Sequence, residues 1–142
     1  MRHPQIVIYE SDGFLASQIE GLARENRWVV RESRHADVCL SFLQQASPVV
    51  LLIKLGPKPL DDLSLLDGVR ERIPDCPALV FGDVKFEGAE QRAAIAGLAY
   101  DLGARYVMFS PLTRALIEDL VAGLMAATIR RSVPDTEERA DA

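Results

Sequence analysis

The chain has 142 residues, about half of them apolar and about a quarter charged, which suits one domain with a real hydrophobic core. Its net charge of −5 argues against a general nucleic-acid binder, which needs a basic face to neutralise phosphates. No apolar run approaches the roughly 20 residues of a membrane span, and Met1-Arg2-His3-Pro4 leads into the first strand-like run with no apolar signal region, so a cytoplasmic protein away from membranes is expected.

Gln5-Ile6-Val7-Ile8-Tyr9 reads as a short strand ending in Glu10-Ser11-Asp12-Gly13, where Ser11 or Asp12 can cap a helix. That helix, about Gly13 to Asn26, places Phe14, Leu15, Ile19, Leu22 and Ala23 on one face. Trp28-Val29-Val30 is a shorter strand, placed near an edge because Arg31-Glu32 follow at once. A second helix, Ser33 to Ala46, turns Ala36, Cys39, Leu40 and Leu43 inward, with Phe42 beside them.

Val49-Val50-Leu51-Leu52-Ile53-Lys54, set between Pro48 and Gly56, is apolar on both alternations and rich in β-branched residues. It reads as the central strand of a parallel sheet, buried on both faces. Lys54 at its end is expensive to bury without a partner. After a stiff Gly56-Pro57-Lys58-Pro59 loop, Asp61 or Asp62 opens a third helix carrying Leu63, Leu66, Val69 and Ile73, which Pro74-Asp75-Cys76-Pro77 ends. Ala78-Leu79-Val80-Phe81 is the fourth strand and Gly82 to Gly88 the loop after it. A fourth helix runs from about Ala89 to Leu102 and stops at Gly103. Arg105 to Phe109 is the fifth strand. Ser110-Pro111 leads into a last helix, about Leu112 to Arg131, and residues 132–142 form a polar, acidic segment expected to be disordered.

Five strand–helix alternations with short connections predict a single α/β domain over residues 1–131, a doubly wound parallel sheet with helices on both faces. In such sheets ligands bind beyond the carboxyl ends of the strands. Those ends carry Glu10, Ser11 and Asp12, then Lys54, Gly82 and Asp83, and Ser110, so acids and a lysine from separate segments converge on one corner. Cys39 and Cys76 are far apart and match no metal-ligand spacing, and His3 and His35 lie in polar surroundings, so no metal and no cofactor are expected.

The order and spacing from Gln5 to Arg131 resemble the receiver domain of two-component response regulators. Ile6-Val7-Ile8-Tyr9-Glu10-Ser11-Asp12 matches that family's apolar strand followed by acids. Leu60-Asp61-Asp62-Leu63-Ser64-Leu65-Leu66 resembles the opening of its third helix, and Gly103 to Pro111 its Gly-Ala, strand, Lys-Pro ending. The resemblance implies a CheY-like (βα)5 sheet in the order 2-1-3-4-5. It also implies three site positions whose residues have changed. Lys54 stands where receivers carry the phosphoacceptor aspartate, Gly82 where they carry a Ser or Thr, and Ser110 where they carry a Lys. Of the family's acid pair, Glu10 keeps a carboxylate and Ser11 has lost one; Asp12 falls one place further on, where the family is variable.

An ammonium cannot form an acyl phosphate, and it repels a divalent cation. Lys54 is therefore expected to pair with Glu10 and to supply the positive charge that magnesium supplies in an ordinary receiver. Nearby carboxylates would raise a lysine's pKa, the wrong direction for a neutral catalytic amine, so an enzyme is not expected. The glycines at 82 and 88 match no phosphate-loop spacing, and an acidic Glu10-Ser11-Asp12 loop would repel a flavin phosphate. The last helix carries an apolar band, including Leu116, Leu120, Leu124 and Met125, wider than sheet packing requires. With Tyr106 and Phe109 it forms a candidate contact surface for a protein partner or a homodimer, where receivers commonly dimerise.

The reading is thus a stand-alone pseudo-receiver of bacterial type, acting in signal transduction through phosphorylation-independent protein contacts. One alternative is a small-molecule-binding or catalytic flavodoxin-like domain using the Glu10, Asp12 and Lys54 corner. Another is a receiver phosphorylated at an unusual aspartate, Asp83 or Asp61.

Overall fold

The computed structural model describes residues 3–45, 48–83 and 88–132. In chain order it contains β1 (Gln5–Tyr9), α1 (Phe14–Asn26), β2 (Val29–Ser33), α2 (Ala36–Gln45), β3 (Val49–Lys54), α3 (Pro59–Leu63), α4 (Leu65–Arg72), β4 (Ala78–Gly82), α5 (Gly88–Asp101), β5 (Tyr106–Phe109) and α6 (Arg114–Ser132). The strands form one parallel sheet in the order β2-β1-β3-β4-β5, the doubly wound α/β architecture expected from the sequence. The acidic segment lies outside the described residues beyond Ser132, as does the middle of the Gly82 to Gly88 loop.

Side-chain alternation along the central strands builds two core layers. Ile6, Ile8, Val50, Leu52, Leu79 and Phe81 face one way and pack with Leu15 and Ile19 of α1 and with Ile117, Val121 and Met125 of α6. Val7, Leu51, Ile53 and Val80 face the other way, onto Cys39 and Leu43, Leu63, Leu66 and Val69, and Ile95 and Ala99. Val50, Leu51, Leu52 and Ile53 of β3 are fully buried, each worth about 1.5–3 kcal/mol relative to exposure. That burial fixes β3 at the centre and carries Lys54 to the carboxyl edge of the sheet.

Several boundaries depart from expectation for local reasons. β2 runs on through Arg31 and Glu32 to Ser33, because an edge strand tolerates charged side chains that reach water. The third helix is two helices joined at Ser64, not one. The Ser64 hydroxyl donates to Asp61 O, and Asp67 N donates to Ser64 O, a tightened turn that re-aims the chain. That pair also begins earlier, with Pro59 in its first turn, where a missing N–H does no harm. α6 begins at Arg114 because Thr113 caps it, its Oγ1 accepting Leu116 N at 3.3 Å. Gly103, at φ 107°, stops the fourth long helix of the sequence reading as expected. The Ser110–Pro111 peptide is cis.

Candidate functional site

The carboxyl ends of β1 and β3 bring Glu10, Asp12, Phe14 and Lys54 together. Lys54 ends β3 with only one tenth of its side chain exposed. Its Nζ is hydrogen-bonded to Asp12 Oδ2 and lies 4.7 Å from the centroid of the Phe14 ring, a cation–π geometry. Asp12 uses its other oxygen, Oδ1, to accept Phe14 N at 3.1 Å, so one carboxylate both caps α1 and holds the ammonium. Burial alone would raise the Asp12 pKa. The Lys54 ammonium and the Phe14 N–H outweigh it and hold the carboxyl below its usual range.

The expected Lys54–Glu10 pair is not formed. Glu10 is buried and turns both oxygens to the start of α1, accepting Leu15 N at 2.8 Å and Ala16 N at 3.0 Å. Two free helix-end amides and the positive end of the helix dipole satisfy the carboxyl without a cation, which leaves Lys54 to the more exposed Asp12. Burial pushes the Glu10 pKa up to about 7; the two amides oppose that, and a hydrogen bond and like charge from Glu32 add to it. Ser11 is exposed, and the first amides of α1 are met by Asp12 and Glu10 instead.

A second polar knot lies beside the corner. The Tyr9 hydroxyl is raised in pKa, first by burial and then by the neighbouring Asp62 carboxylate. Asp62 Oδ2 accepts Gly56 N at 2.7 Å, tying the turn after β3 to α3. Gly82 ends β4 and is buried, Asp83 follows it half-buried, and Ser110 follows β5 half-buried; Ser110 N donates to Gly82 O at 3.1 Å. These three therefore stand on the same edge of the sheet, on its β4–β5 side. Asp61 is exposed in the first turn of α3.

Two participants escaped the sequence reading. Phe14 looked like one more member of an apolar helix face, and Glu32 like a charge that merely marked an edge strand. The signal available for Glu32 was register: it stands beside Ile8 on β1, two positions before Glu10.

The candidate contact surface divides. Tyr106 and Leu116 are exposed, at 48% and 37%. Leu120 and Phe109 are half-buried against the two core layers. Met125 is fully buried and Leu124 nearly so, so those two belong to the core and offer nothing to a partner. The apolar band of α6 is wide because the helix packs on α1 as well as on the sheet. Leu98 and Tyr100 of α5 are exposed nearby in the sequence of elements, and Tyr100 Oη accepts Val107 N of the edge strand at 3.2 Å.

No protein-family model matches the chain, and no curated protein matches it in sequence. Solved structures do match. The receiver domain of NtrX from Brucella abortus is 20% identical, with a TM-score of 0.68 over 87% of this chain and 98% of that one. The receiver domain of the Francisella response regulator 1452 is 17% identical, with a TM-score of 0.68 over 89% and 99%. A response-regulator receiver domain protein from Clostridium thermocellum is 14% identical, with a TM-score of 0.67 over 89% and 96%. The fold is the receiver fold.

Receiver chemistry implies a divalent cation at this corner, and the residues present do not fit one. Lys54 puts an ammonium at the end of β3, Asp12 is engaged by it, and both Glu10 oxygens face α1 amides. Among the described residues no cluster of three or more His, Cys, Asp or Glu side chains could hold a metal. None of their helices is long and apolar enough to cross a membrane.

Proposed function

We propose that this receiver-fold domain is a cytoplasmic pseudo-receiver of bacterial type, a signalling module that works through protein contacts and not through phosphorylation. The observation that carries the reading is Lys54 at the end of β3, bonded to Asp12 over the Phe14 ring. An amine in that place forms no acyl phosphate. Gly82 offers no hydroxyl and Ser110 no ammonium to a phosphoryl group, so the parts that would bind it and read it out are replaced as well. The fixed Asp12–Lys54 pair supports a corner held in one charge state. Output then falls to exposed surface, and Tyr106 and Leu116, with Leu98 and Tyr100 of α5, supply apolar area for a protein partner or a second copy.

A cavity of about 660 Å³ lies at the opposite end of the sheet, lined in part by Val49, Ile73, Cys76, Arg105 and Thr128. Its lining includes none of Glu10, Asp12 and Lys54, so it lends no support to a small-molecule or catalytic site built on them. The test is incubation with a small-molecule phosphodonor and magnesium, followed by intact-mass and peptide spectrometry. The expected result is an unmodified protein. A phosphoryl adduct on Asp83 or Asp61 would replace this reading with that of a receiver using a displaced acceptor.

A further inference from the structure

Among the described residues Glu10 has no cationic partner, although it is buried at the end of β1 and a lysine stands at the end of the neighbouring strand. What it has is a second carboxyl. Glu32 of β2 stands beside Ile8 in the parallel register, and Glu10 N donates to Ser33 O at 3.2 Å, so the ends of β1 and β2 are locked side by side. A Cβ placed on Gly13 would lie 3.7 Å from Glu32 Oε2. The Glu32 side chain thus lies over the loop between β1 and α1, where it is close enough to act on the Glu10 carboxyl. Two carboxylates cannot donate to one another. They can share a hydrogen bond only when one of them carries a proton.

We propose that Glu10 and Glu32 share one proton, and that this proton, where receiver chemistry would use a divalent cation, sets the charge state of the corner. In the protonated state one carboxylic O–H donates to the other carboxylate, and the pair carries a single negative charge facing the Leu15 and Ala16 amides. When the proton leaves to solvent, two adjacent anions remain. Glu10 is held by α1; Glu32, on an exposed edge strand, turns out to water. That release unties β2 from the loop carrying Ser11, Asp12 and Gly13, and Asp12 is the anchor of Lys54. The groups that act on the Glu10 carboxyl are Glu32 from β2 and the α1 amides, while the Asp12–Lys54 pair on the loop and β3 is internally neutralised. Burial and Glu32 both push the Glu10 pKa upward, to about 7, which places the transition within the range of cellular pH.

The test is a titration of the glutamate side-chain carboxyl carbons by NMR on the full chain, comparing wild type, Glu32→Gln and Glu10→Gln. The Glu10 carbon is expected to titrate roughly two units above an ordinary glutamate. Glu32→Gln, at an exposed position that leaves the core intact, is expected to lower that midpoint by about one unit; the Gln amide can donate to the Glu10 anion where Glu32 could only repel it. Glu10→Gln removes the resonance and assigns it. Magnesium at millimolar concentration is expected to leave the Glu10 midpoint in place. A Glu10 midpoint in the ordinary carboxylate range, or one that Glu32→Gln fails to move, overturns the shared proton. A midpoint driven down by magnesium overturns its role in place of a cation.

Discussion

Lys54 shows how two weak interactions can fix one charge. An ion pair with a half-exposed carboxylate is commonly worth about 0–1 kcal/mol, and a ring contact adds about 0.5–1 kcal/mol. Here the ammonium sits on a stem that is nine-tenths buried, so leaving Asp12 would strand it against Phe14. Lys54→Ala is expected to destabilise the domain by about 1–2 kcal/mol in urea unfolding, with Lys54→Met retaining the stem packing and losing less. The sign with pH follows from Asp12. A carboxyl whose pKa is lowered on folding stabilises the native state above its unfolded pKa, and that contribution disappears as pH falls through the folded value. The gap between wild type and Lys54→Ala should therefore be full at neutral pH and close in acid. A gap independent of pH would mean that the loss is packing alone. Glu10 would run the opposite way, because its raised pKa gives up stability as pH climbs toward about 7.

At the scale of elements, strands and helices were legible where periodicity was strong, and their ends were legible where one residue type admits one conformation. Gly103 is an example. At φ 107° it leaves α5 through a region that an L side chain enters only with strain, so Gly103→Ala should lower stability by about 1–2 kcal/mol. The lost Gly flexibility in the unfolded chain offsets part of that loss, and thermal melts showing no change would mean that the strain does not exceed this offset. Other ends were illegible because a side chain decided them. Ser64 splits α3 from α4 through a bond to Asp61 O, which hydrophobic spacing cannot register. Thr113 sets the start of α6 in the same way. The corner was half legible: topology brought Glu10, Asp12 and Lys54 to one edge. Which acid took the lysine depended on the α1 amides meeting Glu10 first, a competition with no sequence signature.

For the whole molecule, the receiver fold puts its unusual chemistry on one edge of the sheet and four of its exposed large apolar side chains on α5, β5 and α6, with Val38 of α2 and Leu60 of α3 exposed apart from them. The apolar excess of α6 is smaller than its composition implied, since Ile117, Val121, Leu124 and Met125 are consumed by the sheet and α1. What remains is Leu116 on α6 and Tyr106 on the edge strand, with Leu98 and Tyr100 on α5. Scattered exposed apolar residues are ordinary, and only a contiguous group points to a contact. If these form one surface for a second copy, then Tyr106→Ser with Leu116→Ser should weaken self-association at least tenfold, about 1.4 kcal/mol. The melting temperature of the dilute protein should be unchanged, because neither side chain is buried. Leu124→Ser is the contrasting variant: it should unfold the domain and say nothing about association. Sedimentation velocity across a wide concentration range reads the difference directly. A strict monomer at the highest concentration removes the homodimer and leaves Tyr106 and Leu116 to a partner of another kind.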